Sequence, residues 1–98
     1  MEKICKAIKK MKRVKIKYRQ KGKRIIEPHA FGYDTKTQQK LRAFQVSGYS
    51  HSGNPTGWKL FIVNHISEFE ILNEQFSTPR KGYNPSGDKM IPHIICKL

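Results

Sequence analysis

Apolar positions Ile4, Ala7, Ile8 and Met11 recur at i, i+3, i+4 and i+7, with Lys3, Lys6, Lys9 and Lys10 off that stripe. This spacing predicts a short helix that packs by one face. The period then changes: Val14, Ile16 and Tyr18 alternate with Lys15, Lys17 and Arg19, which reads as a half-buried strand with a basic outer edge. Residues 20–23 (QKGK) make the turn, and residues 24–27 return as a second strand that Pro28 interrupts or confines to an edge. Residues 29–33 continue past the kink, and residues 34–39 (DTKTQQ) are polar enough for a hairpin loop. A second hairpin follows, with strand-like 41–49, a Gly/Asn/Pro loop over 50–57 and strand-like 58–63. After the turn NHIS, Phe69 and Ile71 alternate with acids in a fifth strand over 68–72. One helix followed by five short strands predicts a mainly β, α+β fold, a strongly bent five-stranded sheet closed into a small β-barrel behind a short basic N-terminal helix. Residues 77–98, broken by Pro79, Gly82, Pro85 and Gly87, are expected to form a tail with one short helix from Asp88 onward.

Charge changes this picture more than composition does. The chain has 98 residues, room for one domain with a small core, and 20 Lys and Arg against 7 Asp and Glu. Twelve of those cations and only one acid fall within residues 1–24, so that segment carries +11 and the remainder +2. A local excess of this kind is the footprint of a polyanion partner, and its bland counterpart is a solvated basic helix face. No apolar run approaches a membrane span and the start is lysine-rich where a signal peptide needs an apolar centre, so a cytoplasmic protein without a membrane partner is expected. Cys5 and Cys96 have no metal-binding spacing. Two small buried thiols in a reducing compartment are the expected state, with a disulfide between the ends as the alternative.

The segments IKYRQKGKRIIEPHAFGY and LRAFQVSGYSHSGNPTGWKLFIVNHISEFEILNEQF, behind a helix, resemble the WYL domain of bacteria and their phages over roughly residues 4–76. The resemblance implies an Sm/SH3-like barrel over residues 1–76 that senses a nucleic acid or nucleotide through a basic patch. The eponymous Trp-Tyr-Leu triplet is replaced by Leu41, Arg42 and Ala43, and two of the usual arginines by Lys59 and His65. These departures leave the ligand open. Such modules usually sit beside a helix-turn-helix, for which the dozen or so residues before the barrel leave no space. A free-standing module that captures a nucleotide signal, for example a phage protein sequestering a host immune signal, is the function this implies.

Candidate chemistry lies where cations and rings interleave on strands. Arg42, Phe44, Tyr49, Lys59, Phe61, His65 and His29 are the candidate ligand-binding residues, with Arg42, Lys59 and His65 expected to converge with Tyr49 on one phosphate pocket. Arg and Lys grip phosphate by charge-assisted hydrogen bonds and rings stack on bases, although Phe44, Trp58 and Phe61 also suit a core. The alternative is DNA or RNA bound through Lys9, Lys10, Lys12, Arg13, Lys15, Lys17, Arg19, Lys21, Lys23 and Arg24, or an acidic protein partner; a homo-oligomer is compatible with each. Glu27 beside His29 invites an acid/base reading but lacks a nucleophile and a third orienting group, so neither catalysis nor a cofactor is expected.

Overall fold

The change of period after Met11 is a change of element. The computed structural model describes residues 2–98 as α1 (Glu2–Lys9), β1 (Lys12–Tyr18), β2 (Lys23–Tyr33), β3 (Gln39–Gly48), β4 (Gly57–Ile62), a 3-10 turn (Val63–His65), β5 (Ile66–Gln75) and β6 (His93–Lys97). Ile4, Ala7 and Ile8 are fully buried on one side of α1, and Met11, in a left-handed conformation, ends the helix. They meet Val14, Ile16, Ile26, Phe31, Leu41 and Phe61 in a single core.

The sheet is not the barrel expected from the sequence. Six antiparallel strands run β4-β3-β2-β1-β5, with β6 paired to β2, and β4 and β5 remain as separate edges. The two edge strands are consecutive in the chain, yet they form no ladder with each other; the end of β4 and the turn after it bond to Tyr18 at the end of β1 and to Arg19 beyond it. The Ile62 N–H donates to Tyr18 Oη at 2.9 Å, and the Arg19 N–H donates to the His65 carbonyl at 2.9 Å. The Sm-like barrel therefore falls; an open, curled sheet with one helix takes its place.

Pro28 lies inside β2 without interrupting it. β1 pairs with β2 only as far as Ile26, and β6 takes over the same side of β2 from Ala30. Pro28, which has no N–H to give, occupies the gap between two partners, where no ladder bond is lost. The expected tail helix is also corrected: residues 93–97 alternate in exposure and form β6, a sixth strand. Between β5 and β6 the chain lies over β2, β3 and β4, burying Phe76 and Ile91.

Cys5 on α1 and Cys96 on β6 form a disulfide with Cα atoms 5.8 Å apart. This reverses the expectation of two thiols. The sequence separation of 91 residues says nothing of distance, and it is the pairing of β6 to β2 that carries Cys96 to the helix. Such a bond persists in oxidising surroundings and opens in reducing ones. No helix among the described residues is long and apolar enough to cross a membrane.

Candidate functional site

The twelve cations of residues 1–24 do not make one surface. Lys3, Lys6, Lys9 and Lys10 project from α1 into solvent. Those on β1 and the start of β2 meet the acids of β5: Lys15 pairs with Glu70 at 3.8 Å, Lys23 pairs with Glu68, and Arg13 reaches Glu74 at 3.4 Å. Lys17 stands opposite Glu68 in the ladder and Lys12 Nζ donates to the Asn73 carbonyl. The antiparallel register thus sets the three acids of β5 against the cations of β1 and the start of β2 and offsets part of the charge that the linear sequence shows. Arg19, Lys21 and Arg24 are different, because they line a cleft of about 380 Å³ with Tyr18, Tyr49 and Lys59.

Arg24 is the centre of that cleft. Alternation on β2 sends Arg24 and Ile26 to the side where Ile16 and Val14 stand opposite them. Arg24 is 6% exposed, with its guanidinium 5.2 Å from the Tyr18 ring centre, 5.4 Å from Phe61 and 5.5 Å from Tyr49. One terminal nitrogen, Nη1, donates to Gln45 Oε1 at 3.3 Å, and Gln45 in turn donates to the Tyr49 carbonyl at 2.8 Å. The Nε is buried with no hydrogen-bond partner, and no carboxylate pairs with the group among the described residues. Burial pushes its pKa below the usual arginine value. Gly48 permits this packing: with φ +105°, it lies so close to β2 that a Cβ would stand 2.3 Å from the Lys23 carbonyl oxygen.

The loop between β3 and β4 folds back over the same cleft. Lys59 Nζ donates to the Asn54 carbonyl at 2.9 Å, Ser50 Oγ at 3.3 Å and Ser52 Oγ at 3.4 Å. All three acceptors are neutral, so the ammonium charge stays uncompensated.

On the other face of β2 a second buried charge is closed. Glu27, fully buried, accepts from Arg80 Nε at 2.6 Å and Nη2 at 3.1 Å, and from Arg13 Nε at 3.0 Å. Burial alone would push its pKa up; the hydrogen bonds and charges of Arg80 and Arg13 outweigh that and hold it below the ordinary 4.5. His29 is fully buried beside it, against Trp58, Phe76 and Tyr83. Its Nδ1 lies 2.7 Å from the Glu27 carbonyl, and its Nε2 accepts the Arg80 N–H at 3.1 Å, which assigns the proton to Nδ1. Burial lowers its pKa, so the ring is neutral. The acid/base pair suggested by IEPH is a packed, satisfied cluster.

The candidate ligand-binding residues divide between these places. Tyr49, Lys59 and Phe61 meet in the Arg24 cleft. Arg42 stands opposite Leu60, and Lys59 opposite Ala43, so alternation sends Arg42 and Lys59 to opposite faces and the expected convergence does not occur. Arg42 instead grips Asp88 through Nε at 2.7 Å and Nη2 at 3.3 Å, at the rim of a separate cleft of about 480 Å³. Phe44 packs edge-on to Trp58 under Arg80, and His65 is exposed on the 3-10 turn with its ring 6.0 Å from Tyr18. Arg24 itself was readable only as one base among ten. The signal was its position two residues before Ile26, an inward place in the alternation.

Comparison with protein-family models, curated proteins and solved structures gave no match for the chain. Its resemblance to the WYL domain thus has no support from relatives, and the open sheet conflicts with the barrel which that resemblance implied.

Proposed function

We propose that the protein is a non-catalytic binder of a phosphorylated, nucleotide-type ligand, seated in the Arg24 cleft. One observation carries this reading: Arg24, a residue only 6% exposed, has among the described residues no carboxylate partner, and its buried Nε is unsatisfied. A buried charge left without a counter-ion costs several kcal/mol, so an anion from outside that supplies the missing acceptors recovers that energy on binding. The Nε and Nη2 of an arginine form a fork that matches two oxygens of one phosphoryl group. Arg42 and Arg80 use that same edge on Asp88 and Glu27. In Arg24 it has no partner among the described residues.

Rings complete the argument for a nucleotide. Tyr49, 36% exposed at the cleft, offers a face on which a base can stack. Arg19, Lys21 and Lys59 add cations around Arg24. Two other clefts offer less, because Arg42 in one is already held by Asp88 and the one beside α1 has no buried cation among its described lining residues. Along β1, Arg13 and Lys15 are already paired with acids of β5, which leaves a polynucleotide fewer free cations there. The test is mass spectrometry of what stays bound after native isolation, with Arg24→Met run beside the parent. A discrete phosphorylated molecule in the parent and none in the variant is expected; long heterogeneous nucleic acid in both, or nothing phosphorylated in either, would sink the proposal.

A further inference from the structure

We infer that the Arg24 cleft takes phosphate as a metal-free anion, so that Mg²⁺ competes with the protein for a polyphosphate instead of accompanying it into the site. This rests on the phosphate-binding reading above and narrows the ligand to phosphomonoesters, phosphodiesters or uncomplexed polyphosphates. Four cations line the cleft, Arg19, Lys21, Arg24 and Lys59, and none of its lining residues is Asp or Glu. Protein sites for Mg²⁺-bound phosphates supply one or two carboxylates to the metal. The acids of neighbouring segments do not reach this cleft: Glu27 is held by Arg13 and Arg80 on the other face of β2, Asp88 by Arg42 in a separate cleft, and Glu68 by Lys23.

Electrostatics points the same way. A divalent cation carried in on a nucleotide would add two positive charges beside Arg24, which is mostly buried and has no acidic partner among the described residues. The metal also chelates the phosphoryl oxygens that the Arg24 fork would grip. Guanidinium and metal therefore exclude one another at the same atoms, while a single phosphate ester, a poor chelator, reaches Arg24 unchanged. The hydroxyls of Ser50 and Ser52, neutral oxygens in the cleft, already accept from the ammonium of Lys59.

The experiment is calorimetric titration of the full chain with adenosine monophosphate and adenosine triphosphate as probes. Each is run in a chelator and in excess Mg²⁺ at matched ionic strength, and again on Arg24→Met after circular dichroism shows its fold unchanged. Loss of two ligand charges and of the fork should weaken the triphosphate roughly tenfold or more in Mg²⁺, with the monophosphate changed by less than about twofold. Both should lose most of their affinity in Arg24→Met. Triphosphate binding that is equal or tighter in Mg²⁺ overturns the metal-free inference and leaves the phosphate site standing. Failure of both nucleotides to bind in either condition overturns the phosphate reading and this inference with it.

Discussion

Arg24 and Glu27 lie three residues apart on β2, on opposite faces of the sheet, and both are removed from water. Glu27 is surrounded by two guanidiniums, one from β1 and one from the segment that follows β5, and its neighbour His29 has a partner for each ring nitrogen. Arg24 has, among the described residues, three rings, one glutamine oxygen and no acid. The chain closes the first charge with its own residues and leaves the second for something outside itself. Burial alone would rank the two sites equally; what separates them is whether the folded chain supplies the counter-charge.

Glu27→Gln should break the closed side hardest. It leaves Arg13 and Arg80 facing a buried amide, and removing one partner of a buried pair costs about 3 to 5 kcal/mol. The lower end applies here, since both arginines keep partial access to water. Urea unfolding of the variant measures it, and a loss no larger than that of an ordinary surface substitution would remove the distinction between the two faces.

Reduction of Cys5–Cys96 is the next largest effect. Opening a loop of this length should cost roughly 2 to 5 kcal/mol. The bond fastens β6, whose neighbour Leu98 donates its N–H to the His29 carbonyl and accepts from Tyr83 Oη at 2.8 Å. Hydrogen exchange under reductant should therefore quicken at α1, β6 and the Glu27 side, while the β1–β2 hairpin that carries Arg24 stays protected. Uniform quickening would show that the two faces unfold as one.

Acid should reach the closed side in two steps. The folded pKa of His29 lies below 6.5, so the unfolded chain takes up its proton first, and stability begins to fall as the pH drops below 6.5. Glu27 and Asp88, held low by their arginines against the opposing effect of burial, contribute stability above their ordinary 4.5 and 3.8 that is lost as the pH falls through their folded values. Denaturant midpoints across pH 3 to 8 should show both steps, with the upper one absent in His29→Gln and the lower one reduced in Glu27→Gln. Arg24 has no proton to exchange in this range and should leave no trace.

How much of this was legible in the sequence follows from the range of each interaction. Alternation at Val14, Ile16 and Tyr18 and the stripe Ile4, Ala7, Ile8 are local, and both elements formed where the period placed them. Pairing is not local. The acids of β5 that pair with β1 lie more than fifty residues away, as does Arg80 from Glu27, so neither the partly offset basic surface nor the closed ionic centre has a spacing to betray it. β6 escaped for a related reason, since its five residues follow a run of Pro and Gly that reads as tail. Barrel closure was a global property inferred from strand number, and strand number does not fix whether the edges meet. Arg42 and Lys59 were assigned one face when the register gives them opposite faces, and a one-residue slip in register reverses every face assignment.

Arg24→Met should have the smallest effect on stability, and it is the most decisive test of the comparison. Methionine keeps much of the length, packs against the rings of Tyr18, Tyr49 and Phe61, and removes a dry cation together with its orphaned Nε. Replacing a buried charge by a well-packed apolar side chain is often neutral or stabilising by about 1 to 4 kcal/mol, less here the single hydrogen bond to Gln45 and the contacts of cation with ring. The net change should lie within about 1 kcal/mol of the parent, on either side, in the same urea series as Glu27→Gln. A side chain whose charge the fold does not need, at a place where any apolar residue would pack, is held there by what it binds. If Arg24→Met instead unfolds the chain by as much as Glu27→Gln, the guanidinium is part of the protein's own framework and the cleft loses its claim to an outside anion.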